Sequence, residues 1–269
     1  MINSFLRKED FWYDSIFRFR WHQVCSSAKE SIIQAHRNGH KIFINTGRTK
    51  CEVPLKPLEG LPIDGYCFSA GSEILIENKQ VLYKPLRPQI VKALIERIEP
   101  MNLAMSLEGS QKTFQNEVNY EIFKKFAKDD RTGAGMMVHH RLSKITEEDY
   151  YQIMKVSIHY PEGSDISNLI ENLPEGLIFT PFKNTGGEIT NCTYNKATAI
   201  QFVKSYYQSD EKTMAVGDSE NDITMLKEAD ISIAMGNGND HVKKISNYIT
   251  TNIDEDGLKN AFKHFGLID

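Results

Sequence analysis

The segment Gly217-Asp218-Ser219-Glu220-Asn221-Asp222 follows the apolar run 213–216 and leads into Ile223-Thr224-Met225-Leu226. A β-prone apolar run that ends in Gly-Asp and turns into a helical pattern is a strand delivering a carboxylate to a loop. A second carboxylate follows four residues on, at the start of the helix. Two acids this close in a loop suit a hard, oxygen-preferring cation such as Mg²⁺. The same residue types also cap helices without binding anything. The loop alone leaves both readings open, and the rest of the chain has to decide between them.

At 269 residues the chain is long enough for one large domain or two smaller ones with a sizeable core. Its 40% hydrophobic and 25% charged content is that of an ordinary globular protein. A net charge of −4 gives no electrostatic case for nucleic acid or an anionic membrane as partner. No stretch has the uninterrupted apolar length of a membrane span. Arg7, Lys8, Glu9 and Asp10 break up any signal-peptide core. Cys25, Cys51, Cys67 and Cys192 are scattered without CxxC spacing, which suits buried or incidental thiols in a reducing compartment. A cytoplasmic protein is expected.

From Ser26 onward helical and strand patterns alternate. Ser27 and Glu30 have capping-box spacing, Ala28, Ile32, Ala35 and His36 follow at helical intervals, and Gly39 is placed to end the helix. The strand 41–45 ends at Thr46-Gly47-Arg48, another covers 65–69, and a hairpin is expected from 73–76 and 81–83 with its turn at 77–80. The middle third changes texture. Prolines stand at 85 and 88, followed by a helix over 89–98, a strand over 101–107 and a helix over 117–128. Strand, helix and strand then cover 153–160, 166–172 and 177–180, and Gly133 and Gly135 read as a turn. After 186 the first texture returns, with strands at 188–190, 213–216, 231–235 and 248–250 and helices at 195–206, 221–227, from about 239, and 255–264. Repeated strand–helix–strand units predict a parallel sheet with helices on both faces, its ligands bound beyond the carboxyl ends of the strands. Thr46 and Asp218 both follow apolar strands, so both are expected to line that crevice.

Three polar groups belong together in this reading. The Thr46 hydroxyl and the amides of Gly47 and Arg48 could hold a phosphate oxygen, or form a plain turn. Lys196 opens a helix after Asn195, where a cation opposes the macrodipole unless an anion compensates it; an exposed surface lysine is the other reading. With Asp218 and Asp222 they make a kit for phosphoryl transfer: orient the group, neutralise its oxygens, hold Mg²⁺. Gly236-Asn237-Gly238 lacks the third glycine of a dinucleotide loop. A receiver-type signalling domain also combines Asp, Thr and Lys, but the long insertion and the 217–222 pattern disfavour it.

In this order the residues resemble the haloacid-dehalogenase (HAD) superfamily, Cof-type (subclass IIB) phosphatases with a large inserted cap. Ile44-Asn45-Thr46-Gly47-Arg48 matches the family's Thr motif, and Lys196, within Glu188-Ile189-Thr190…Asn195-Lys196, its Lys motif. Gly217–Asp222 with Met225-Leu226 matches the acidic motif, and Ile233-Ala234-Met235-Gly236-Asn237 the run that follows it. The resemblance implies an α/β fold: a Rossmann-like parallel-sheet core over 1–83 and 186–269, and an α+β cap over 84–185. It implies Mg²⁺-dependent hydrolysis of small phosphorylated metabolites, sugar phosphates or nucleotide and cofactor phosphates, through a phosphoaspartyl intermediate. Asp218 and Asp222 then serve the metal, Thr46 and Lys196 catalysis, and Gly47, Arg48, Asn195 and Asn221 the phosphate. Glu108, Arg131, His139 and His140 are candidates to face the site, though each also fits a solvated surface.

The family's D-x-D-G-T motif, whose first Asp is the nucleophile, is absent from the sequence. Aligned by the helix and Thr46, Asp14 falls near the second Asp and Trp12 where the nucleophile belongs; Asp14 is the remaining catalytic candidate. Codons for Phe-Asp-Leu-Asp-Gly-Thr, read one base early, give Phe-Arg-Phe-Arg-Trp-His, which is Phe17 to His22 as written. An out-of-frame N-terminal stretch is therefore expected. The alternative is a non-catalytic pseudophosphatase that still binds phosphometabolites.

Overall fold

The computed structural model describes residues 24–53, 55–127, 139–182 and 185–269. Helix α1 (Ser26–Arg37) buries Ala28, Ser31, Ile32 and Ala35 along one face, as the helical spacing predicts. The expected capping box at Ser27 does not form. Cys25 holds the cap position without a side-chain bond to the helix amides, and Ser31 Oγ donates to the Ser27 carbonyl at 2.6 Å. Gly39 leaves the helix at φ +93°, a backbone state glycine adopts without strain.

Strand β1 (Phe43–Asn45) pairs in parallel with β2 (Gly65–Phe68). Antiparallel strands β3 (Glu73–Ile76) and β4 (Lys79–Tyr83) extend that sheet. Their connection is Glu77-Asn78, both at positive φ, so the turn is two residues rather than the expected four. Such turns match the right-handed twist of the strands. On the C-terminal side β11 (Met214–Gly217), β12 (Ile231–Ala234) and β13 (Tyr248–Ile249) form a parallel sheet.

Alternate residues of these strands enter different cores, so the sheets are covered on both faces. Ile44, Val216 and Ile233 pack with Ile32 of α1 and with Leu258 and Phe262 of helix α8 (Gly257–His264). On the opposite face helix α5 (Lys196–Tyr207) packs Ala199 and Val203 against Phe43 and Ile74, and Ile200 against Ala215 and Ala234. Two short helices, α6 (Ile223–Glu228) and α7 (Asp240–Ile245), complete that layer through Met225, Leu226 and Val242. The carboxyl ends of β1 and β11 thereby open onto one edge.

The middle of the chain forms a six-stranded sheet in the order β7-β6-β5-β8-β10-β9. Its strands are β5 (Ala104–Gly109), β6 (Thr113–Gln115), β7 (His139–Arg141), β8 (Ile153–His159), β9 (Leu177–Pro181) and β10 (Gly186–Asn191). Met105, Leu107, Phe114, Val156, Ile158 and Ile189 pack beneath helix α2 (Pro88–Ile98) and helix α4 (Ser167–Glu171). Val91, Leu94 and Ile98 of α2 are fully buried there, each contributing roughly 1.5–3 kcal/mol by leaving water. Helix α3 (Glu117–Ala127) follows β6.

The stretch after Gly186, expected to reopen the core, is β10, and it pairs antiparallel with both β8 and β9. Ile189 is fully buried in this sheet's apolar cluster, which holds the strand here. The chain leaves the sheet only after Asn191.

Candidate active site

Strand β11 brings its last residue, Gly217, against the loop that follows. A Cβ there would lie 2.6 Å from Asp222 Cβ, closer than any side chain permits. The loop closes around Asp222, which is fully buried. Asp222 Oδ2 accepts the amides of Asp218 and Ser219 at 3.0 and 3.1 Å. Ser219 caps the short turn Glu220–Asp222 and exchanges hydrogen bonds with Asp222 in a capping box. The helix-cap reading and the acidic-site reading are therefore not alternatives: capping is how the loop holds Asp218, half-buried, at its tip.

Thr46 follows β1 with its amide on the Cys67 carbonyl at 2.8 Å and its carbonyl taking Ala70 N–H at 2.9 Å. Its hydroxyl accepts the Arg48 amide at 3.2 Å, so that amide, expected for phosphate, is committed within the turn. Gly47 faces the acidic loop, its missing Cβ position 3.8 Å from Asn221 Nδ2. Asn221 Oδ1 accepts the Ser219 hydroxyl at 2.7 Å.

Asn195 and Lys196 arrive at the start of α5. Asn195 Oδ1 accepts the amides of Ala197 and Thr198 at 2.9 and 3.1 Å, while Thr198 Oγ1 accepts the Asn195 amide. The side-chain oxygen expected at the phosphate is thus the helix cap. Lys196 does sit near an anion, as its unfavourable place on the dipole requires: its Nζ donates to Asp222 Oδ1 at 2.7 Å. Asn45, which motif reading passed over, donates from Nδ2 to the Lys196 carbonyl at 2.9 Å and ties β1 to α5. The carboxyl end of an apolar strand was the available signal for it.

Asp14 and Arg131 lie outside the described residues. Glu108 does not sit on a solvated surface: it is 9% exposed, on the polar face of the six-stranded sheet. His139 hydrogen-bonds Gln115 at 3.1 Å on that face, and burial pushes it down to about 4. His140, half-buried, lies 5.6 Å from the Phe114 ring.

Around Glu108 the loop after β1 meets the sheet. Lys155 Nζ is 3.1 Å from Glu108 and 2.7 Å from Glu188. Thr113 donates to Glu52 at 2.7 Å, and Cys51 Sγ to the Gly109 carbonyl at 3.2 Å. Burial and the Glu108 charge push Glu52 up to about 7. Burial would also raise Glu108, but Lys155, Ser157 and Arg48 outweigh it and hold it low. One carboxylate of the pair keeps its charge beside Lys155 while the other takes the proton. Burial lowers Arg48 to about 10 against the pull of Glu52 and Glu108, so it remains a cation at neutral pH. Burial pushes the Cys51 and Cys67 thiols up to about 12, which makes them inert as nucleophiles. A cavity of about 190 Å³ lined by Leu86, Arg87, Ile90 and Leu177 shares no residue with this crevice.

The chain as a whole has counterparts among known proteins. The sequence matches haloacid dehalogenase-like hydrolases over residues 20–262. The chain belongs to that family. A phosphoglycolate phosphatase of Methanobrevibacter smithii is 40% identical over 249 residues, covering 91% of this chain and 92% of its own. A 5-amino-6-(5-phospho-D-ribitylamino)uracil phosphatase of Bacillus subtilis is 40% identical over 110 residues, 39% of this chain and 44% of its own length. A phosphatase of the haloalkanoate dehalogenase superfamily from Bacteroides thetaiotaomicron superposes with a TM-score of 0.77 at 25% identity, covering 94% of this chain and 92% of its own. The family and its phosphatase members place the chain among phosphatase-type HAD hydrolases with a Rossmann-like core.

Among the described residues no three His, Cys, Asp or Glu side chains gather into a metal-holding group. The donors at the acidic loop are all oxygens, which fits Mg²⁺ in kind. Asp222 has both carboxylate oxygens engaged inside the protein, Oδ1 by Lys196 and Oδ2 by the amides of Asp218 and Ser219. No helix among the described residues is long and apolar enough to cross a membrane.

Proposed function

We propose that this HAD hydrolase carries the scaffold of a Mg²⁺-dependent phosphatase for small phosphorylated metabolites in the cytoplasm. As written, it holds its substrate without the nucleophilic Asp that forms the phosphoaspartyl intermediate. The observation that supports this is the convergence of Thr46, Lys196 and Asp218 at the carboxyl ends of parallel strands, with Asp222 locking Lys196 in place. The phosphatase relatives, acting on phosphoglycolate and on a phosphorylated ribityl compound, support the substrate class. In this reading the Thr46 hydroxyl orients a phosphate oxygen, the Gly47 amide donates to it, and Lys196 neutralises charge on the phosphoryl group. Mg²⁺, held by Asp218 with Asp222 behind it, supplies further charge neutralisation when bound. The core spans 24–83 and 192–269, and the cap 84–191.

The test is titration with inorganic phosphate in Mg²⁺, combined with hydrolysis of p-nitrophenyl phosphate. The chain should bind phosphate and hydrolyse the ester at background. The combined variant Arg18→Asp, Phe19→Leu, Arg20→Asp, Trp21→Gly, His22→Thr should raise turnover by at least about 10³-fold. Strong hydrolysis by the unaltered chain would refute the missing-nucleophile claim and make Asp14 the first residue to substitute. Resequencing the gene around Phe17–His22 tests the frame separately.

A further inference from the structure

Core and cap meet through polar groups. None of the apolar clusters among the described residues crosses from one to the other. The contacts that do cross include Thr113 on Glu52, Cys51 on the Gly109 carbonyl and Ser110 on Glu73. Two units joined by a pair of linkers and a polar interface move against each other by default.

Glu73 differs from the other partners in that interface. It is the first residue of β3 and is 0% exposed. Its Oε1 accepts Ser110 Oγ at 2.9 Å and Gln80 Nε2 at 3.1 Å. Its Oε2 is buried without a hydrogen-bond partner. Among the described residues Lys50 is the cation in its field, and Tyr83 is the other titratable group that faces it. Burial raises the Glu73 carboxyl against the pull of Ser110, Gln80 and Lys50. Ser110, on the turn between β5 and β6, is itself 4% exposed, so this contact is closed to water. The segment just before Glu73 is bonded to the Thr46 turn: the amides of Ser69 and Ala70 donate to the carbonyls of Arg48 and Thr46 at 2.7 and 2.9 Å.

An ionised carboxylate with one bare oxygen is what burial penalises most; the neutral acid suffers less. Opening the cap withdraws Ser110 and lets water reach both oxygens, which relieves the ionised form. The closed arrangement therefore binds the proton more tightly than the open one. Closure is strongest below the ordinary 4.5 of a glutamate and weakens as pH rises through the higher closed-state value.

We propose that Glu73 is a proton-linked latch between core and cap: the cap closes beside the Thr46 turn with Glu73 protonated, the proton coming from solvent, and loosens when Glu73 ionises. The latch requires no ligand and works whether or not the crevice turns over a phosphate ester.

Cys51 reports opening, because its Sγ is held on the cap's Gly109 carbonyl. The full chain and Glu73→Gln are alkylated with iodoacetamide from about pH 5 to about pH 8, and the initial rate at Cys51 is read by mass spectrometry of its peptide. Thiol ionisation and the titration of Glu52 are common to both proteins and cancel in the ratio of rates. The rate in the natural chain relative to Glu73→Gln should rise at least about threefold across the range. Ser110→Ala takes one donor from ionised Glu73 in the closed arrangement, so its rate relative to the natural chain should also grow with pH. That variant keeps the test decisive if Glu73→Gln folds poorly. A flat ratio for Glu73→Gln, or for Ser110→Ala where it alone folds, makes Glu73 a static packing group and overturns the latch. A Cys51 that stays unlabelled at every pH shows a cap that does not open, and overturns it as well.

Discussion

Lys196 Nζ and Asp222 Oδ1 are 2.7 Å apart, with side chains 2% and 0% exposed. They come from different elements, the first residue of α5 and the loop after β11. The pair fixes the start of α5 against the loop after β11. Taking two charges out of water is costly, and their attraction repays it only with near-ideal geometry and other hydrogen bonds. Asp222 has those bonds, to the amides of Asp218 and Ser219.

Removing one partner leaves the other buried and unpaired. Lys196→Met and Asp222→Asn are each expected to cost about 3–5 kcal/mol in urea unfolding. The double variant should be clearly more stable than the sum of the singles, with a coupling of about 1–3 kcal/mol. Phosphate affinity should fall in all three proteins. A double variant that regains phosphate binding along with stability would show that Lys196 serves the fold alone.

Gly217 is required by contact rather than by backbone angle. Gly217→Ala places a methyl group 2.6 Å from Asp222 Cβ, so Asp222 must move and its bonds to Asp218 and Ser219 must stretch. The expected cost is about 1–3 kcal/mol, with weaker Mg²⁺-dependent thermal stabilisation. An unchanged Mg²⁺ response would mean that Asp222 does not hold Asp218 for the cation.

The parallel strands and the crevice were legible because apolar runs ending in Thr-Gly and Gly-Asp state both the strand and what it delivers. The fate of individual polar atoms was not. Asn195 and the Arg48 amide carry the right chemistry, yet local bonds claim them first: a helix cap for one, the Thr46 hydroxyl for the other. Strand β10 was read as part of the core because Glu188-Ile189-Thr190 alternates like any strand, and its sheet is decided by pairing with β8 and β9. Glu52 and Lys155 escaped notice, and Glu188 was read only as part of a strand, for a similar reason. Each is an ordinary surface residue by type, and only tertiary pairing buries it beside the others.

Asn45 joins β1 to the first residue of α5 through its 2.9 Å bond to the Lys196 carbonyl. Asn45→Val leaves that carbonyl without this buried donor and should cost about 1–3 kcal/mol. Because the bond ties the start of α5 to the end of β1, phosphate affinity should fall as well. Loss of stability with undiminished phosphate affinity would limit Asn45 to a packing role.

Glu52 and His139 give opposite pH dependence over nearly the same range. Glu52 is held at about 7 against an ordinary 4.5, so between these values the folded protein keeps a proton that the unfolded chain releases. Stability from this group is full below about 4.5 and falls as pH rises through 7. His139 is held at about 4 against 6.5, so here the unfolded chain binds the extra proton, and stability rises with pH from about 4 to 6.5. The two slopes oppose each other up to about pH 6.5, and above it the Glu52 loss stands alone. Glu52→Gln removes only the falling component. Unfolding free energies from urea titrations at pH 4.5, 5.5, 6.5 and 7.5 should therefore show the variant gaining on the natural chain as pH rises, with most of the gain in place by pH 7.5. Parallel curves would show that Glu52 ionises in the fold as it does in water, and that the crevice does not hold its proton.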